Sequence, residues 1–140
     1  MIVGIDAHKR SCTTSTSDES YNPMETFEFS TTRNGVKEFM ERVPEGSTVV
    51  IEASTTGKTL ARILSAKYEV HMITPSGRKS QIKTDRRDSV KMVKEDALGY
   101  VSRCYIPNQY VEGLRFLTSN MTEIGHKAAM VKNQVHALIE

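Results

Sequence analysis

The spacing of apolar and polar residues changes period several times along the chain. Residues 1–6, MIVGID, are an almost unbroken apolar run closed by an acid, the pattern of a buried strand. Residues 13–17 are polar, but Thr and Ser fit a pleated strand, so Thr13 to Ser17 predict a second one. From Met24 to Phe29, Phe27 and Phe29 alternate with Thr26 and Glu28, and this period of two predicts a third. Tyr21-Asn22-Pro23 marks the turn between them. Three short strands with short connections predict an antiparallel meander.

The period then becomes helical. Thr31 and Thr32 are N-cap candidates, Val36, Phe39, Met40 and Val43 share one face, and Pro44-Glu45-Gly46 stops the helix. Residues 48–53, TVVIEA, read as a buried strand with an acid near its end. Thr55-Thr56-Gly57 leads into a helix around Leu60, Ile63 and Leu64, and residues 68–74, YEVHMIT, form a further strand ending at Pro75. Strand–helix–strand alternation implies parallel neighbours joined by right-handed crossovers. A helix is expected from Thr84, with Val90, Val93 and Ala97 on one face and Gly99 ending it, and a short loop with Pro107 follows. The fold class is therefore α/β, with a mixed five-stranded sheet flanked by helices over residues 1–104.

Residues 108–140 are the most regular part of the chain. Leu114, Leu117, Met121, Ile124, Ala128, Val131, Val135 and Leu138 follow one another at intervals of 3, 4, 3, 4, 3, 4 and 3. Sustained heptad spacing predicts a coiled-coil seam, hence a homo-oligomer. A helix from Asn108 to Glu140 would be roughly 50 Å long at about 1.5 Å per residue, longer than a domain of this size is wide. The alternative is one amphipathic helix packed on its own domain. The seam runs uncapped to Glu140, which leads to the expectation of a longer parent protein.

Composition narrows the class. The chain has 140 residues, 38% apolar and 26% charged, enough for a core and too mixed for a disordered segment. No apolar run approaches the ~18 to 20 residues that span a bilayer, and the first residues lack the order of a secretory signal. Cys12 and Cys104 lie far apart and make neither a disulfide framework nor a Cys-x-x-Cys metal pair, so a reduced, cytoplasmic protein is expected.

Charge changes the picture more. The formal net charge is +2, but residues 75–94 alone hold seven basic side chains (Arg78, Lys79, Lys83, Arg86, Arg87, Lys91 and Lys94) against Asp85 and Asp88, a local +5. Such a cluster is either a phosphate-binding footprint or a solvated helix face. Within it, Asp85 and Asp88 sit three apart at the start of the expected helix, while Asp6 and Glu52 end two apolar strands. If those strands are parallel neighbours, both carboxylates emerge at one edge of the sheet, and buried like charges need a cation. Four hard oxygen donors suit Mg²⁺ or Mn²⁺ rather than zinc. Two such ions about 3.5 to 4 Å apart can activate an attacking oxygen and stabilise a leaving one in phosphodiester chemistry. Each acid also has a structural reading, as a turn residue or as a partner of a helix dipole. Other chemistry is poorly supported. His8, His71, His126 and His136 show no ligand spacing, a Cys12 thiol nucleophile is not expected, and Gly57-Lys58-Thr59 lacks the upstream Gly of a P-loop.

Gly4-Ile5-Asp6-Ala7-His8-Lys9, Ile51-Glu52-Ala53-Ser54 with Gly57 after it, and Lys83-Thr84-Asp85-Arg86-Arg87-Asp88 together resemble the DEDD transposases of insertion sequences, the family that also holds the Piv-type DNA invertases. The final helix, through Lys132-Asn133-Gln134-Val135-His136-Ala137-Leu138, is similar to that family's coiled-coil linker. The resemblance covers nearly the whole chain, and Ser89 stands where the family usually has Ala. It implies a RuvC-like, RNase H-like domain in which Asp6, Glu52, Asp85 and Asp88 bind Mg²⁺ and carry DNA cleavage and transfer. It implies DNA contacts from Lys9, Arg78, Lys79, Lys83, Arg86, Arg87 and Lys91, a structured guide RNA as partner, and a C-terminal serine domain beyond residue 140. Competing readings are a stand-alone RuvC-like Holliday-junction resolvase and a non-catalytic dimerisation and nucleic-acid-binding module. A sugar-kinase-type nucleotide site is disfavoured, because Ala7-His8-Lys9-Arg10 offers no Gly for a phosphate to approach.

Overall fold

A computed structural model of the protein describes residues 1–74 and 85–139, with the backbone alone at 85–88. Among the described residues the elements run β1 (Ile2–Ala7), β2 (Ser11–Ser17), β3 (Pro23–Ser30), α1 (Arg33–Arg42), β4 (Thr48–Glu52), α2 (Thr55–Leu64), β5 (Glu69–Ile73), α3 (Asp85–Ala97), β6 (Arg103–Cys104) and α4 (Gln109–Ile139). They form two compact units, Met1–Ile106 and Pro107–Glu140.

In the first unit the sheet order is β3-β2-β1-β4-β5-β6. β1, β2 and β3 make the antiparallel meander, while β4 lies parallel to β1 and β5 parallel to β4. The expectation of five strands is corrected to six. Arg103 and Cys104 pair antiparallel with Ile73 and Met72. Two residues carry no periodicity of their own, so this strand is set by its neighbour and not by local pattern.

Helices α1 and α2 cover one face of the sheet. Thr32 caps α1, its Oγ1 accepting from the Gly35 amide at 3.2 Å, and Ser54 caps α2, its Oγ accepting from the Gly57 amide at 2.9 Å. Between them and the strands lies the main core: Val3, Ile5, Cys12, Phe29, Phe39, Val49, Ile51, Leu60, Ala61, Leu64, Tyr68 and Met72. Phe39 is its centre, 5.0 Å from the Phe29 ring centroid and edge-on to Tyr68 at 5.8 Å. Ile63, expected on the packed face of α2, is exposed; Ala61 takes that place. α2 turns off the sheet at once, and its Gly57 fits there because a Cβ would meet the Glu52 carbonyl oxygen at 2.1 Å.

Helix α3 covers the other face, where a thinner cluster of Val50, Ile73, Met92 and Val93 is buried. The polar strand β2 is buried from Cys12 to Ser17, closed in by its neighbouring strands and by α3. The expected cap Thr84 lies outside the described residues. Gly99, at φ +68°, follows α3 as the sequence reading had it.

The second unit is a single 31-residue helix. Asn108 caps it, its Oδ1 accepting from the Val111 amide at 2.9 Å. None of its residues is buried. Leu114, Leu117, Met121, Ile124, Val131, Val135 and Leu138 are all exposed, by 45% to 87%. No helix among the described residues is long and apolar enough to cross a membrane.

Candidate metal centre and nucleic-acid face

Strand register decides where the first two acids stand. Ile2, Val3, Gly4 and Ile5 pair with Thr48, Val49, Val50 and Ile51, so Asp6 and Glu52 occupy the next rung of two adjacent parallel strands. Alternation places both on the face of Gly4 and Val50, the α3 face. Parallel strands run about 4.8 Å apart, so the two carboxylates are neighbours at the carboxyl edge of the sheet. Both residues are half-buried. The Asp6 side chain is 19% exposed and one of its oxygens lies 3.3 Å from His8 Nε2. Thr13 is the partner of Asp6 across β2 and is buried.

A close contact brings α3 onto this face. Ser89 Oγ and Ser15 Oγ share a buried hydrogen bond of 2.6 Å. At Gly4 an added Cβ would lie 2.2 Å from the Ser89 carbonyl oxygen and 2.9 Å from Val93 Cγ2. Only glycine lets the helix come this near. Asp85 is the first residue of α3, one turn before Ser89. The side chains of Asp85, Arg86, Arg87 and Asp88, and all of Arg78, Lys79 and Lys83, lie outside the described residues. Among the described residues no three His, Cys, Asp or Glu side chains converge to hold a metal ion. Asp6 and Glu52 are two of the four expected ligands. The structure sets them side by side and starts α3 over the same face.

A family model of the DEDD transposases, IS110 type, described as a transposase, matches residues 3–140. The chain belongs to this transposase family. No curated protein matches it. Membership gives the chain a transposase role, in the processing of DNA.

In this transposase chain the described basic residues are spread out. Lys9 is exposed on the β1–β2 turn, two residues past His8's neighbour Ala7, and its carbonyl accepts from Thr31 Oγ1 at 3.0 Å. Lys91 Nζ lies 3.5 Å from Glu95. Lys91 and Lys94 line a groove of about 760 Å³ between α3 and the start of β3, together with Met24, Glu25, Leu98 and Tyr100. Both thiols are free. Burial pushes the Cys12 thiol up to about 11, against a hydrogen bond from the His8 backbone, and the Asp6 charge pushes the same way, so Cys12 is not a thiolate nucleophile.

Sequence reasoning missed one polar cluster. Asp96 is 8% exposed on α3. Arg103 Nε donates to its Oδ1 at 2.8 Å and Arg103 Nη2 to its Oδ2 at 3.0 Å. His71 Nδ1 lies 2.7 Å from Asp96 Oδ2, and His71 Nε2 lies 3.2 Å from Glu69 Oε1. Burial alone would raise the Asp96 carboxyl; the bonds and charges of Arg103 and His71 outweigh it and hold the group below the usual carboxylate value. The sole signal in the sequence was an apolar strand, YEVHMI, interrupted by a histidine.

Proposed function

We propose that residues 1–106 are an RNase H-like catalytic domain that cleaves and transfers DNA strands in insertion-sequence transposition, with Asp6, Glu52, Asp85 and Asp88 as the acidic set. The observation that carries this reading is the pair Asp6 and Glu52, side by side on β1 and β4 and on the α3 face, in a chain that matches the transposase family over residues 3–140. The antiparallel meander followed by parallel β4 and β5, with helices on both faces, fits an RNase H-like sheet.

The donor set fits a hard divalent cation: carboxylate oxygens, half-buried, near the ends of two parallel strands. Bound Mg²⁺ or Mn²⁺ would supply charge for the attacking and leaving oxygens of a phosphodiester. The protein's part is orientation. His8 holds one oxygen of Asp6. Lys9, on the turn beside it, is exposed where a phosphate backbone would pass, and Lys83, Arg86 and Arg87 would extend this contact at the start of α3. A structured guide RNA belongs to the reading through the resemblance. The exposed seam of α4 supports a homo-oligomer, since apolar residues at 114, 117, 121, 124, 131, 135 and 138 leave a stripe that a second helix would cover.

Mg²⁺ or Mn²⁺ is expected to raise the melting temperature of the wild type, and the rise should vanish in Asp6→Asn and in Asp85→Asn. An unchanged rise in both variants would remove the metal site. For the seam, Leu117→Asp with Ile124→Asp should give monomers by light scattering while the sheet unit keeps its melting temperature.

A further inference from the structure

The cluster around Asp96 has no place in the chemistry just described, and it is costly. A carboxylate with 6% of its side chain exposed is ion-paired to Arg103 and hydrogen-bonded to His71, where a leucine would pack at less expense. What an apolar side chain cannot give is direction. Hydrophobic contact lets a helix slide or turn on a sheet, whereas a two-bond guanidinium fork and an imidazole fix both position and rotation.

Its place on α3 gives this a consequence. Asp85, Ser89, Met92 and Asp96 are spaced 4, 3 and 4, so they fall on one stripe of the helix. That stripe touches the sheet at three points: Ser89 at Gly4 and Ser15, Met92 in the small apolar cluster, and Asp96 at His71 of β5 and Arg103 of β6. Asp96 is eleven residues from Asp85, about 16 Å along the helix. A tilt of about 10° at the Asp96 end would move the Asp85 end by roughly 3 Å, when a working site tolerates about 0.5 Å.

We propose that Asp96, clamped by Arg103 and His71, is a positioning residue that sets the docking of α3 on the sheet and so the approach of Asp85 and Asp88 to Asp6 and Glu52. This rests on the acidic-set reading above. Three contact points make the helix a rigid arm, its far end held by β5 and β6 and its near end carrying half of the ligands. Glu69 is the second layer of the clamp, since it holds the other nitrogen of His71.

The test uses the 140-residue chain with Asp96→Asn, which keeps the shape but removes the charge. Amide NMR shifts are read at Gly4, Ser15 and Ser89, far from the substitution, and Mg²⁺ is titrated against the melting temperature. The expected result is shifts at all three amides and a rise of about tenfold in half-saturating Mg²⁺. If Asp96→Asn does not fold, the pair His71→Ala and His71→Asn carries the test: Ala should reproduce both effects, and Asn, whose amide nitrogen sits where Nδ1 does and can still donate to Asp96, should restore the wild-type values. Shifts confined to residues 69–73 and 96–104 would overturn the proposal, as would displaced α3 amides with unchanged Mg²⁺ affinity. Loss of the Mg²⁺ response in Asp6→Asn with an unshifted half-saturating Mg²⁺ in Asp96→Asn overturns the positioning role alone. A wild type indifferent to Mg²⁺ overturns it together with the acidic-set reading.

Discussion

On the face covered by α1 and α2, the strands present Val3, Ile5, Phe29, Val49, Ile51 and Met72 to Phe39, Leu60, Leu64 and Tyr68. On the face covered by α3, the same strands present Gly4, Asp6, Thr13, Ser15, Ser17, Glu52 and His71, and apolar packing shrinks to Val50, Ile73, Met92 and Val93 with Ile2 and Val101 against them. Fully burying one large apolar side chain contributes about 1.5 to 3 kcal/mol, so the first face supplies most of the stability. The second buries hydroxyls, carboxylates and an imidazole, groups that stabilise little but fix geometry. The sheet thus separates the residues that hold it together from those that can do chemistry.

The sharpest way to break this division is Phe39→Ala. It should cost about 3 to 5 kcal/mol in denaturant unfolding, because Phe39 is fully buried against three other rings. A loss of under about 1 kcal/mol would mean that the first face is not the main source of stability. Next is Gly4→Ala. The new methyl meets backbone at 2.2 Å, so α3 must lift, and about 1 to 3 kcal/mol of stability should be lost together with most of the response to Mg²⁺. Retention of that response would show that α3 can shift without disturbing the acids.

Thr14→Val sharpens the comparison from the other side. Thr14 is fully buried on the apolar face, and its hydroxyl has no hydrogen-bond partner among the described residues. Replacing it should stabilise by about 1 kcal/mol, read as a higher denaturant midpoint with the same slope. The smallest effect concerns pH. The Asp96 carboxyl is held below its ordinary value of 3.8, so the unfolded chain takes up that proton first as pH falls. The contribution of Asp96 is present above its ordinary value and fades below it as the folded carboxyl protonates. The difference in melting temperature between wild type and Asp96→Asn should therefore be steady from neutral pH down to about 5 and narrow towards pH 3.

What the sequence made legible follows from how local each signal is. The strands containing Asp6 and Glu52, the meander and the cap Thr32 rest on periods and short motifs, and they stand within a residue or two of their expected places. The polar strand β2 was legible only through its Thr and Ser content, because a strand buried among polar neighbours has no alternation to read. Ile63 was misplaced because helical spacing admits it, while the tight turn at Gly57 rotates α2 to bury Ala61 instead. β6 and the Asp96 cluster were illegible, since β6 is set by Ile73 and Met72 of a distant strand and the cluster joins His71, 25 positions away, to Asp96 and Arg103.

The parallel pairing of β1 with β4 has a consequence in time. Residues 2–5 find partners at 48–51, whereas β1 with β2 and β2 with β3 close only short turns. Chain closure over such a span is entropically dearer than a hairpin, and the stretch between is shortened only once β2, β3 and α1 have condensed. The meander is therefore expected to gain amide protection before β4 and β5 in pulse-labelled refolding. Until the late strands join, Asp6 and Glu52 belong to separate parts of a loose chain. On this order the proposed acidic site would stay unassembled while the chain folds, and would appear only when the sheet is whole.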